Sequence, residues 1–183
     1  MVGSRSITVK DIAVMAVMTT LLFVQEQLLS SLPGVQLTVF LIVLYSKKFG
    51  FVRSSIILII HIILDNLFNS SFSLMYTPAM LVGWMIIPLT INTIFKKIEN
   101  PLILAILGLV YSFIYCWLFI IPNYFIFNIN PIAYLISDVV FELILAGCSF
   151  ISILLLYKPC SKVIDMFYNK EKKVLSKVRW LGR

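Results

Sequence analysis

The chain has 183 residues, of which 61% are hydrophobic and only 13% charged, and its mean hydropathy is +1.02. That leaves too little polar surface to cover a water-soluble globule of this size, so the composition excludes the soluble classes and indicates an integral membrane protein with one membrane domain. The formal charge of +7 then needs a membrane explanation rather than a nucleic-acid partner.

The first apolar run covers residues 7–29 and closes on SSLPG at 30–34, where Pro33 and Gly34 break the helix. It is longer than the core of a secretory signal and no small-x-small cleavage site follows, so it reads as a retained helix. The second span, residues 35–45, is short and is expected to lean on Lys47 and Lys48 snorkelling to the interface. The third covers 50–68 and the fourth 73–95, with Pro78 as an expected kink. Asn100 and Pro101 supply a cap and a first helical position for the fifth, which runs to residue 121 and is expected to end at Pro122. The sixth covers 131–157. These runs are continuous, whereas the strands of a membrane barrel alternate over about 10 residues, so the predicted fold is an all-α helical bundle of six transmembrane helices. Residues 1–157 form the membrane domain and 158–183 a basic tail, which either lies as a helix on anionic lipid or is a solvated segment that fixes topology.

Charge placement supports this count. The 15 Lys and Arg residues fall before or at the start of the first span (Arg5, Lys10), between the second and third (Lys47, Lys48, Arg53), between the fourth and fifth (Lys96, Lys97), and in the tail. Those are alternate loops, and the positive-inside rule makes that side, with both termini, cytoplasmic. Cys116, Cys148 and Cys160 show no ligand spacing and are expected to be unpaired; no metal or cofactor motif is present.

Depth follows from a rise of about 1.5 Å per residue. His61 and Asp65, one turn apart, lie roughly 12 and 18 Å beyond Arg53, while Glu26 is near the outer end of the first span. In the sixth span Glu142 and Asp138 lie roughly 24 and 30 Å from its cytoplasmic end. A carboxylate at a helix centre costs about 2.5–3.5 kcal/mol on insertion scales, so such groups usually face a partner or a cavity. With Asn66, Asn69 and Tyr76 at similar height, the expected site is an outward-opening polar pocket lined by Glu26, His61, Asp65, Asn66, Asn69, Tyr76, Asp138 and Glu142. The outer half holds four carboxylates and no Lys or Arg, which predicts a neutral or cationic ligand. Tyr76, Tyr111 and Tyr115 are available to stack a flat ring. On the first helix, Ala13, Ala16 and Thr20 form a row of small residues that lets another helix approach; periodicity alone favours packing within this chain.

The segment KDIAVMAVMTTLL, the short second span, the turn LYSKKFGFVRSSIILIIHIILDN, the six-span layout and the basic tail together resemble the substrate-binding S component of an energy-coupling factor transporter. The resemblance covers nearly the whole chain and rests on layout. It implies a non-enzymatic subunit of a bacterial plasma membrane. Such a subunit captures a vitamin or related micronutrient outside the cell and docks on a transmembrane coupling protein (the T component) driven by two ATPases. On that reading Ala13, Ala16 and Thr20 become the docking ridge, with Thr20 standing where the family commonly has a second Ala, and the loop at 30–34 contacts ligand. The seven glycines never form G-x-x-x-x-G-K, so the chain has no phosphate loop of its own. Two other classes stay open: a non-catalytic scaffold of a cell-envelope complex, with the polar residues as interhelical glue, and an intramembrane enzyme built on Asp65 and Asp138.

Overall fold

The computed structural model describes residues 7–69, 73, 74 and 76–181, with side chains described through 167. Arg5 and the basic side chains beyond 167, which entered the charge argument, lie outside the described residues. Among the described residues six helices follow one another: α1 (Val9–Leu29), α2 (Thr38–Phe68), α3 (Tyr76–Thr93), α4 (Pro101–Leu118), α5 (Ile120–Phe127) and α6 (Pro131–Leu181). Four helical stretches, Val9–Leu29, Thr38–Phe68, Pro101–Phe127 and Pro131–Phe167, are long and apolar enough to cross a hydrocarbon core. Their outward faces carry bare Val, Leu, Ile and Phe side chains, including Val17, Leu21, Ile106, Leu143 and Leu155. The described residues thus form an all-helical protein of membrane type.

Helix α1 starts on a reciprocal cap. Asp11 N donates to Thr8 Oγ1 at 3.2 Å and Thr8 N donates to Asp11 Oδ2 at 3.0 Å, satisfying two donors that the first turn would leave open. The same carboxylate meets Arg53 of α2: Nη2 donates to Oδ2 at 3.2 Å and Nε lies 3.1 Å from Oδ1.

Helix α2 is two arms joined at Gly50, whose φ of 78° and ψ of 178° belong to a region open in practice only to glycine. Hydrogen bonds to α1 show that the arms run in opposite senses. In the first arm, Thr38 pairs with Gln25 and Tyr45 with Met18 O, so sequence rises in one helix as it falls in the other. In the second, Arg53 pairs with Asp11 and Asp65 with Gln27, so both rise together. The chain therefore reverses at Gly50. The first arm, 38–49, is nearly all buried, with Val39, Phe40, Ile42, Val43, Leu44 and Tyr45 in the core. At roughly 18 Å it is shorter than a hydrocarbon core of about 30 Å, and it runs inside the protein. Lys47 and Lys48, expected to reach for the interface, have protein partners at this end. Lys47 Nζ donates to Phe95 O at 2.7 Å, just past the end of α3, and Lys48 Nζ lies 2.6 Å from Asp165 of α6.

Three further boundaries differ from the sequence reading. Pro78 sits in the first turn of α3, where no intrahelical donor is lost, and the interior proline is Pro88. Pro122 does not end the fifth span: α4 stops at Leu118, and Pro122 is buried in the first turn of α5, a position that suits proline equally well. Helix α6 does not stop with the sixth span at 157 but carries on through the basic segment to Leu181, and at roughly 77 Å it greatly exceeds a hydrocarbon core. The expected cap at Asn100 is present, with its side chain accepting from Leu102 N at 3.0 Å.

Small residues let α4 and α6 approach closely. A Cβ on Gly108 would fall 2.3 Å from Ile153 Cδ1, and Ser112 Oγ donates to Ser149 Oγ at 2.9 Å across the seam. Among the described residues, the Lys and Arg side chains gather at the end of the bundle marked by the Gly50 reversal, the start of α1 and the end of α3. The loop at 30–37 and the junctions before α3 and α6 mark the opposite end.

Candidate functional site

At that opposite end a cleft of about 290 Å³ opens between α1, the loop that follows it, the second arm of α2, α4 and α6. Its polar walls include Glu26, Gln27, Gln36, Asp65 and Asn69; Tyr115, Phe141 and the 32–35 segment supply much of the rest. Its size is at the small end for ligand pockets.

Local structure fixes each wall. Gln25 ties the loop to α1: its Oε1 accepts from Leu37 N at 2.8 Å while Nε2 donates to Thr38 Oγ1 at 2.9 Å. The loop turns at Gly34, with φ of 77°, and packs there on α6 so tightly that a Cβ would meet Phe141 O at 3.1 Å and Ile144 Cβ at 3.2 Å. Tyr115 is held by a stack on Trp84, with ring centroids 3.8 Å apart, and by an edge contact with Phe119. Gly83 permits the stack, since a Cβ there would fall 2.7 Å from Tyr115 Cδ2.

The charged groups lie on two helices. Asp65 Oδ1 accepts from Gln27 Nε2 of α1 at 3.2 Å and from Asn69 Nδ2, one turn ahead, at 2.7 Å. Behind the wall, His61 is fully buried, and its Nε2 approaches Glu26 Oε2 to 3.0 Å without hydrogen-bond alignment. His61 Nδ1 has no partner among the described residues. No Lys or Arg among the described residues lines the cleft; two carboxylates face it, with the His61 imidazole behind one of them. In this setting the site can hold hydrogen-bond donors and positive charge, while an anion meets an unmatched negative field.

The structure thus brings Glu26, His61, Asp65 and Asn69 together. Of the other residues expected in the pocket, Asn66, Tyr76 and Asp138 have partners elsewhere. Asn66 is buried toward α3, where Thr77 Oγ1 donates to its Oδ1 at 3.0 Å. Tyr76 OH donates to Asn123 Oδ1 of α5 at 2.9 Å. Asp138 accepts from Tyr134 OH at 3.4 Å, and Glu142 is buried with Oε1 unpartnered among the described residues; neither lines the cleft, although Phe141 between them does. Asp65 and Asp138 therefore do not share contacts as an aspartyl pair would. Tyr115 was recognisable as an aromatic at the right height, but Phe141 and Gln36 carried no signal apart from the chain's general apolarity and polarity at those points.

Ala13, Ala16 and Thr20 do not pack within the bundle. All three are exposed on α1, whose backbone, among the described residues, closely approaches that of α2 and of no other helix. The Thr20 hydroxyl is satisfied locally by Ala16 O at 2.9 Å. No protein-family model, curated protein or solved structure matches the chain.

Proposed function

We propose that this chain is the substrate-capturing S component of an energy-coupling factor type importer in a bacterial plasma membrane. It crosses the membrane six times with both termini in the cytoplasm, and takes a vitamin-like nutrient, neutral or cationic, from outside. A transmembrane coupling protein and two ATPases drive its delivery, since the chain has no phosphate loop. The observation that carries this reading is the position of the cleft. Glu26, Asp65 and Asn69 converge at the end away from Lys47, Arg53 and Lys96, and the positive-inside rule assigns that end to the exterior. The exposed small-residue face of peripheral α1 supports the docking role, because close helix approach in lipid depends on such residues.

Thiol labelling in intact cells tests the arrangement. In a background with Cys116, Cys148 and Cys160 replaced by serine, Asn69→Cys is expected to react with a membrane-impermeant maleimide, and Lys97→Cys only after permeabilisation. Labelling of Lys97→Cys from outside, with Asn69→Cys protected, would invert the topology and reject an external capture site.

A further inference from the structure

The groups around the two cleft carboxylates narrow what can bind. Both amide donors that orient Asp65 converge on Oδ1, from Gln27 at 3.2 Å and Asn69 at 2.7 Å, and Oδ2 takes no bond from a described residue. Glu26 has a basic neighbour, the fully buried His61 whose Nε2 points at it from 3.0 Å. Among the described residues no group of opposite sign stands on the cleft walls beside Asp65; the basic group that reaches it is the same His61, one turn back and behind the wall. One carboxylate is therefore held in a fixed orientation with an oxygen open to a ligand, in surroundings where an unmatched charge is costly. Tyr115, immobilised by its stack on Trp84, adds an aromatic ring to the lining, and Phe141 adds apolar wall. Aromatic faces favour cations as well as flat rings.

We infer that the cleft takes a small organic cation, an amine or heteroaromatic with one positively charged nitrogen. The nitrogen rests between Asp65 and Glu26, and the apolar remainder lies against Tyr115 and Phe141. This narrows the importer reading to one substrate class and rests on it.

Three probes of one size and different charge test the inference: benzylammonium, benzyl alcohol and benzoate, titrated into the full chain in lipid nanodiscs. The readout is the side-chain amide NMR signals of Gln27 and Asn69, which report on the cleft and not on partition into lipid. Benzylammonium is expected to bind about tenfold or more tighter than benzyl alcohol, the worth of one charge-assisted hydrogen bond, with benzoate weakest. Asp65→Asn should erase the preference and Glu26→Gln should reduce it, which keeps the test valid if either variant alone fails to fold. Glu99→Gln, exposed at the basic end, should leave it unchanged. Equal or tighter binding of the alcohol or the carboxylate, binding of none of the three, or a preference that survives both cleft variants would overturn the inference. Failure of the importer reading is separable: it shows as the absence of a coupling protein from the purified complex, whatever the charge preference.

Discussion

Replacing Gly34 by alanine should loosen the loop that walls the cleft. The native φ of 77° places an L-residue in the left-handed region, at a cost of roughly 1–2 kcal/mol. The new methyl would also lie 3.1 Å from Phe141 O and 3.2 Å from both Cβ and Cγ2 of Ile144. A backbone oxygen cannot rotate away, so either the loop lifts or α6 shifts, and overpacking of this kind costs about 1–3 kcal/mol. Restricting the unfolded chain returns roughly 0.4–1 kcal/mol, which leaves a net loss of about 1–5 kcal/mol. Gly147 provides a control in the same helix that Gly34 touches. A Cβ there meets nothing within 4 Å, so Gly147→Ala should be neutral or stabilise by roughly 0.5–1 kcal/mol through helix propensity. Reversible unfolding in mixed dodecylmaltoside and dodecylsulfate micelles measures both. Equal stability of the two variants would refute the claim that the loop is pinned on α6 at Gly34.

Other perturbations probe the remaining contacts. Gly83→Ala should cost about 1–3 kcal/mol by driving Tyr115 off Trp84, with loss of near-UV dichroism, and its cost should fall in a Tyr115→Ala background where the opposing ring is gone; an undiminished cost would contradict the contact. A double-mutant cycle with Asn66→Ala and Thr77→Ala should show a coupling of about 0.6 kcal/mol, typical of hydrogen bonds between membrane helices, and additivity would dismiss the bond. Ala16→Trp should leave stability within about 0.5 kcal/mol and amine binding intact, because its side chain is exposed, while preventing association with a coupling protein. Unchanged association would release the α1 face from that role.

Legibility in the sequence differed from element to element. The reversal at Gly50 could be read because cationic residues flank it, and the Asn100–Pro101 start because caps are local chemistry. Pro122 misled because a proline at a helix end and a proline in the next helix's first turn look alike until the backbone is known. The boundary at Lys158 was drawn on polarity, but a helix can leave the apolar region without stopping. In the site, counting residues along each helix gave depth and hence the convergence of Glu26, His61, Asp65 and Asn69. It did not give rotation about the helix axis. Asp138 and Glu142 share their height with Phe141, yet Phe141 is the residue of the three that faces the cleft. The same limit applies to Asn66, which one helical position turns from the cleft toward Thr77.

Purification of the tagged full chain from its native membrane in mild detergent, with mass spectrometry of the accompanying proteins, tests the central claim most directly. The account predicts a coupling membrane protein with a pair of ATPases, lost in Ala16→Trp. Recovery of the chain with cell-envelope assembly proteins and no ATPase would contradict it, and would make the buried polar contacts interhelical glue in a scaffold.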